Sequence, residues 1–344
     1  MSELIDSFLE DPDYDEATSI VLHISESDHD NFKRLDQFLN EKMKDQSRSF
    51  IKALFEKGLI TFYGEGSEGK KLELKKMPPA GSSIQIIIPP PRPADAAPEN
   101  IPLEILYEDE HLVFINKPQG MVVHPAPGNY TGTLVNAILY HCKDIKGVGD
   151  QKRPGIVHRL DKGTSGVMIV AKDQKTHEGL VNLFSTHDIE RRYECLVMGT
   201  KMLASGKLES TIGRHPHNRL KMAANVRGGK NAITFWKVLA HYDKMTHMEM
   251  TLETGRTHQI RVHLTDLLKH PILCDPLYGH PAEHLQRLGP EFKALLKDVE
   301  HPFLHAKVLG LVHPITGEKL RFEAKPPAIF TEVIELAKSV MEKK

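Results

Sequence analysis

Gly155-Ile156-Val157-His158-Arg159-Leu160-Asp161-Lys162-Gly163-Thr164-Ser165-Gly166 runs directly into the apolar stretch Val167 to Ala171. The pattern is strand, polar turn, strand, and it exposes Asp161 on the turn beside Arg159, among small Gly, Ser and Thr residues. A carboxylate in such a turn often does no more than accept backbone hydrogen bonds. A second stretch makes it a candidate for chemistry. Met248, Met250 and Leu252 alternate as a strand, and Glu253-Thr254-Gly255-Arg256-Thr257-His258-Gln259-Ile260-Arg261-Val262-His263 then opens a helix continued by Leu264, Leu267 and Leu268. Thr257 is the expected cap of that helix, which puts Ile260 and Arg261 in its first turn.

Working outward, Leu103 to Ile115 reads as strands around a Glu108-Asp109-Glu110 turn, and similar short strand patterns recur later. An α+β fold with a mixed, largely antiparallel sheet fits better than a regular βαβ repeat. Pro89, Pro90, Pro91, Pro93, Pro98 and Pro102 mark an extended linker that divides the chain. Before it, Leu35, Phe38 and Leu39, then Phe50, Ile51, Leu54 and Phe55, recur at helical spacing, and apolar runs follow at Leu59 to Phe62 and Ile84 to Ile88. The expected division is an acidic tail at 1–19, a small module at 20–90, a linker at 91–102, a main domain at 103–335 and a C-terminal tail at 336–344.

The 344 residues suffice for two domains with cores of their own, and 40% hydrophobic against 26% charged residues is ordinary for a globular protein. No apolar run reaches the about 18 residues of a membrane span, and the acidic N-terminus is unlike a signal peptide. A cytoplasmic protein without a membrane partner is the expectation. Cys142, Cys195 and Cys274 lie far apart with no CxxC spacing, which argues against a disulfide framework or a cysteine-based zinc site. His258 and His263 are five residues apart, and His301 and His305 are interrupted by Pro302, so no metal is expected. Gly64 to Lys71 has the glycine and lysine spacing of a P-loop, but Lys71 stands where magnesium needs Ser or Thr.

The net charge of −1 hides an uneven distribution. Met1 to Ile20 carries seven acidic and no basic residues, whereas Arg191 to Lys237 carries ten Lys and Arg against Glu194 and Glu209. That second stretch suits an anionic partner.

His158-Arg159-Leu160-Asp161 with Thr164-Ser165-Gly166, Arg192-Tyr193, and Gly255 to His263 strongly resemble the motifs of the RluA-type RNA pseudouridine synthases. Supporting stretches, in the family's order, are Asn116-Lys117-Pro118, Val123-His124-Pro125, Gly132 to Asn136, Asp275-Pro276-Leu277-Tyr278-Gly279 and Leu304-His305-Ala306. The resemblance covers Leu103 to about Phe330. Ahead of it, Arg34 to Leu39, Ser47-Arg48-Ser49 and Lys57 to Ile60 resemble the S4 RNA-binding module, although Tyr63 stands where that family often has Asn. The combined plan resembles that of the RluD-like branch, which implies large-subunit ribosomal RNA as the substrate.

The resemblance implies an isomerase that needs no cofactor. Asp161 would act as nucleophile or base, Arg261 would hold it ionised, and Tyr193 would pack on the uracil. Ile260 would form the apolar wall and Arg159 would position a flipped-out nucleotide, with His158, Thr164 and Arg256 also on the substrate side. Arg34, Arg48 and Lys52 in the module, and Arg214, Arg219, Lys221, Arg227 and Lys230 in the basic stretch, would meet phosphates of ribosomal RNA or an assembly intermediate. A monomer is expected. The alternatives are a catalytically silent RNA-binding or assembly factor, and a nucleoside or glycoside hydrolase; a glycoside hydrolase usually places two carboxylates about 5 to 9.5 Å apart.

Overall fold

Leu35, Phe38 and Leu39 on one helix and Ile51 and Leu54 on the next form a single apolar stripe, which packs on Ile84 and Ile86 of a strand. The computed structural model describes residues 18–43, 48–64, 72–88, 96–125, 129–142, 145, 148–149, 153–218 and 220–343, without the side chains of 18, 48–50 and 53. Two compact units result, residues 1–94 and 95–344.

In the first unit, β1 (Thr18–His23), α1 (Glu26–Asn31), α2 (Leu35–Lys42), α3 (Arg48–Glu56), β2 (Ile60–Tyr63) and β3 (Ser83–Ile88) follow in order. The sheet runs β1-β3-β2, antiparallel throughout. Ser25 caps α1 in a reciprocal pairing with Asp28. Thr18 and Ser19, expected in the acidic tail, already pair with Ile88 and Ile87, because β3 needs a partner on each side. The rest of that tail, and the P-loop-like residues from 65 to 71, lie outside the described residues.

The second unit is a mixed, largely antiparallel ten-stranded sheet with helices, an α+β architecture. Its strands are β4 (Glu104–Glu108), β5 (Leu112–Lys117), β6 (Ser165–Ala171), β7 (Glu190–Met198), β8 (Ser205–Arg214), β9 (Met222–Ala224), β10 (Lys230–His241), β11 (Met245–Leu252), β12 (Leu304–Val312) and β13 (Lys319–Glu323). The order is β4-β5-β6-β12-β7-β11-β10-β8-β9, with β13 also on β12. The helices are α4 (Leu134–His141), α5 (Gln174–Thr186), α6 (Gln259–Val262), α7 (Pro281–Leu288), α8 (Pro290–Leu296) and α9 (Ala328–Glu342), and a π-helical turn His263–Leu267 continues α6.

All seven residues of β6 are buried, as its unbroken apolar run implies. It pairs with β12 in parallel at Ser165 and Gly166 only. A Cβ on Gly166, at φ 120°, would stand 2.1 Å from the Ala306 carbonyl oxygen, so glycine is required where the two halves of the sheet join. One apolar core lies around β5, β6, α4 and α5, and another around β7, β11, α8 and α9; Tyr193 packs against both. The functional loops gather at that junction.

Several expectations are corrected. No strand precedes the Asp161 turn: Ile156 makes one isolated bridge to Val170, and the Ile169 N–H then donates to His158 Nε2 at 3.1 Å instead of to a backbone carbonyl. Thr257 does not cap α6; His258 holds the cap position in the left-handed region at φ 58°. The side-chain oxygen of Gln259 instead accepts from the Thr254 hydroxyl and the Arg256 N–H, while its amide donates to Ile233 and Thr234 of β10. The later part of the expected linker is docked: Asn136 Nδ2 donates to the Ala97 carbonyl, and the Glu99 N–H to the Asn136 carbonyl. Residues 336–344 are not a tail through Glu342, because α9 buries Ala337 in the core.

Candidate active site

Three segments bring the functional side chains to one cleft: the loop before β6 carries Asp161, β7 carries Tyr193, and the start of α6 carries His258 and Arg261. Behind the cleft wall, the turn after Cys274 sets Asp275 against Arg261 and Tyr278 against His258. Arg261 Nη1 donates to Asp161 Oδ2 at 3.1 Å, although the two residues are 100 apart in sequence. On its other side, Arg261 Nε and Nη2 donate to the two carboxylate oxygens of Asp275 at 2.7 and 2.8 Å. Asp275 is fully buried and Arg261 nearly so, while Asp161 stays partly open to the cleft. Burial works against the charge on Arg261, but the hydrogen bonds and field of Asp275 overcome it and lift its pKa above the ordinary value. Burial likewise opposes ionisation of Asp275, and Arg261 outweighs it, leaving that pKa depressed. Oδ1 of Asp275 also accepts the N–H groups of Leu277 and Tyr278, which fixes the turn.

Arg159, Thr164, Tyr193, Arg256, Ile260 and Arg261, all anticipated as substrate-side residues, line the cleft with Asp161. Burial pushes the Tyr193 phenol up to about 12, against the opposing field of Arg191. The Thr164 hydroxyl is buried without a partner among the described residues and lies at the wall of the same cleft. Arg256 Nε donates to the Asn231 carbonyl, which anchors one side of its guanidinium. His158 is the exception and is corrected: it stacks on Phe184, 4.6 Å between centroids, and accepts from Ile169. Burial, aided by Arg191, pushes that imidazole down to about 3, as its acceptor role requires.

The basic stretch is less uniform than its count suggests. Strand alternation buries Arg191 beneath Gly255, where Nη2 donates to the Glu253 carbonyl at 2.6 Å. Arg192 pairs with Glu190 at 2.7 Å on the opposite face, and Lys207 pairs with Glu209 at 2.6 Å. Arg214, Lys221, Arg227 and Lys230 cluster around the β8–β9–β10 ribbon, with Lys221 Nζ 5.8 Å from the Tyr278 ring centroid. Arg219 lies outside the described residues, as does the side chain of Arg48. In the first unit, Asp36 holds both Nε and Nη2 of Arg34, and Lys52 lies 3.5 Å from Glu56.

Asp275, His258, Tyr278, Arg191 and Lys117 belong to this neighbourhood and were not anticipated in it. A charged residue inside the apolar run Pro271 to Leu277 was the available signal for Asp275. Lys117 is fully buried at the end of β5, donating to the Pro118 and Met121 carbonyls, and burial lowers it to about 7 despite the field of Asp161. Between that value and 10.5 the unfolded chain binds the proton and the folded one does not, so stability rises with pH in this window. Relative to Lys117→Met, the wild type should gain stability from pH 7 to 10 with a slope of up to about 1.4 kcal/mol per unit. Parallel pH–stability curves from denaturant titrations would refute this. Away from the cleft, Glu108, His141 and Cys142 bring ligand-type atoms within 4.8 Å of one another. Lys172 Nζ holds Glu108 at 2.8 Å and burial pushes the Cys142 thiol up to about 11, so the cluster reads as an ion-pair group.

An RNA pseudouridylate synthase family model matches residues 111–266, the span that contains Asp161, Tyr193 and Arg261. An uncharacterized RNA pseudouridine synthase of Aquifex aeolicus is 41% identical over 303 residues, covering 88% of this chain and 92% of its own. The ribosomal large subunit pseudouridine synthase D of Zymomonas mobilis is 42% identical over 299 residues, covering 86% and 90%. Among solved structures, human RNA Pseudouridylate Synthase Domain Containing 4 matches with TM-score 0.54 and 28% identity, over 68% of this chain and 93% of the human one. Likeness of this extent reaches well beyond the motifs that line the cleft, and the protein therefore belongs to the RluA-type RNA pseudouridine synthases, isomerases that convert uridine in RNA to pseudouridine.

Proposed function

We propose that this enzyme isomerises uridines of large-subunit ribosomal RNA, with Asp161 as the reacting carboxylate. The observation that carries the reading is a single carboxylate in the cleft, Asp161, bonded to the buried guanidinium of Arg261 at 3.1 Å. One carboxylate suits an internal transfer in which the N1–C1′ bond breaks, the uracil turns and C5 bonds to C1′. A proton leaves C5 and one is gained at N1, so atoms balance without a cofactor. A glycoside hydrolase usually pairs that carboxylate with a second one to activate water or protonate the leaving group. In this reading Tyr193 packs on the uracil, Ile260 closes the apolar wall, and the Thr164 hydroxyl is left for a polar group of the nucleotide. Arg159 and Arg256 receive its phosphates. The choice of ribosomal RNA is supported by relatives at about 40% identity that are named for the large subunit, such as those of Zymomonas mobilis and Pasteurella multocida.

Extruding a base from folded RNA costs a few kcal/mol, and phosphate contacts must offset it. Arg214, Lys221, Arg227 and Lys230 on the ribbon are suited to this. The first unit serves as an S4-like module that meets a second part of the RNA through Arg34 and Lys52. The enzyme works as a monomer in the cytoplasm. The test is pseudouridine mapping of ribosomal RNA from cells with and without the gene, repeated with purified protein on protein-free RNA. Loss of specific large-subunit sites in the deletion, and their restoration in vitro, is expected. Unchanged ribosomal sites with missing transfer-RNA sites would overturn the substrate assignment, and release of free uracil would overturn the reaction. Binding should weaken steeply between 50 and 200 mM salt, as on the order of six phosphate contacts imply.

A further inference from the structure

Both donors near Asp161 lie on the same carboxylate oxygen. Arg261 Nη1 is 3.1 Å from Oδ2, and His258 Nε2 is 3.8 Å from that same atom. Oδ1 accepts no hydrogen bond among the described residues and is left to the cleft. His258 is itself held: its Nδ1 is 2.7 Å from the Tyr278 hydroxyl, which also accepts the Met222 N–H at 2.7 Å. With that N–H already donating to the phenol oxygen, the phenol hydrogen is left for His258 Nδ1, and the imidazole carries its proton on Nε2, facing Asp161. Tyr278 cannot easily turn away, because its ring lies under the Arg261 guanidinium, 4.9 Å from centroid to Cζ.

We propose that His258, locked by Tyr278 as the Nε2–H tautomer, is a positioning residue that fixes Asp161 with Oδ2 turned inward and Oδ1 presented to the nucleotide. The proposal rests on Asp161 being the reacting carboxylate. The 3.8 Å separation closes to a hydrogen bond when the nucleotide fills the cleft, as resting-state contacts at active sites commonly do. The left-handed backbone at His258 aims the ring across the loop instead of along the helix. The same phenol ties β9, next to Lys221, to the site, so the strand beside the RNA-facing ribbon and the reacting acid share one hydrogen-bonded chain.

The groups facing His258 are Asp161 and Arg159 from the loop before β6, Arg261 from α6, and Asp275 and Tyr278 from the following turn. Burial, with Arg261 and Arg159, holds the imidazole below its ordinary value, against the opposing pull of Asp161 and Asp275. Removing the phenol frees Nδ1 to take a second proton.

The experiment measures steady-state pseudouridine formation on a transcript containing the mapped uridine, for wild type, Asp161→Asn, His258→Leu, His258→Gln and Tyr278→Phe. His258→Leu should lower kcat by about 10- to 100-fold with KM changed less than about threefold, the size of one hydrogen bond to a charged group. His258→Gln, with a side-chain N–H donor and the same backbone strain, should recover most of that loss. Tyr278→Phe should shift the acidic limb of the pH–rate profile relative to wild type, because His258 then titrates beside Asp161. A His258→Leu enzyme with wild-type kcat, equal losses in the Leu and Gln variants, or an unchanged profile in Tyr278→Phe would each overturn the inference. An inactive wild type, or an Asp161→Asn enzyme of normal rate, would instead overturn the reading on which it rests.

Discussion

Asp161→Asn should leave a folded, RNA-binding protein that forms no pseudouridine, at least about a thousandfold below wild type. The substitution keeps size and shape. It also keeps an acceptor for Arg261 Nη1, so the loop before β6 loses no hydrogen bond it cannot remake. What disappears is the charge and the lone pair offered to the nucleoside. Arg261, already held by Asp275, stays in place, which makes the change a test of chemistry with little effect on packing. The readout is nucleoside mass spectrometry after incubation with ribosomal RNA, alongside filter binding and thermal unfolding. Residual activity within tenfold of wild type would remove Asp161 from the reaction. Lost binding together with lost activity would show that the carboxylate serves the fold.

The motif residues were readable because the reacting groups sit in short contiguous runs: His158 to Gly166, Arg192-Tyr193, and Gly255 to His263. Their convergence was not readable from spacing, since Asp161 and Arg261 are brought together by sheet order, with β12 inserted between β6 and β7. Asp275 was visible only as part of a supporting stretch; its bond to Arg261 depends on the turn after Cys274, where the residue has φ 57°. The role of His258 is not legible in the sequence, which shows an imidazole but neither its rotamer nor its tautomer. His158 failed for the opposite reason: motif membership suggested substrate, whereas the missing strand before Asp161 let its ring replace a ladder partner of Ile169. Strand alternation explains the overcounted charge, since Arg191 and Arg192 cannot face the same side. The Lys-rich end of residues 336–344 masks the apolar face of the helix, where Ala337 is buried and Leu336 and Val340 pack against the same core.

Asp275→Ala should cost about 3–5 kcal/mol of folding stability, among the largest single losses available in the second unit. Arg261 would keep Asp161 but lose both bonds on its buried side, and a guanidinium whose side chain is only 8% exposed cannot recruit water to replace them. The N–H groups of Leu277 and Tyr278 would lose their acceptor as well, loosening the turn that carries Tyr278. Asp275→Asn can still accept those two N–H groups without the charge, so it should fall between alanine and wild type. The cost is that of an orphaned charge and not the net worth of the pair, so Arg261→Met combined with Asp275→Ala should be more stable than Asp275→Ala alone. The pH dependence follows from the depressed folded pKa of Asp275: its contribution is full above about pH 4 and fades as the pH falls through the folded value, so the gap to alanine narrows in acid. Chemical unfolding of the four proteins at pH 7 and at about pH 2, below the unfolded carboxyl's ordinary value, measures each quantity. A single variant within 1 kcal/mol of wild type, or a double variant less stable than the single, would mean that the existing bond to Asp161 is enough to hold the guanidinium when Asp275 is gone. A guanidinium drawn wholly onto Asp161 would then appear as lost activity in a protein of normal stability.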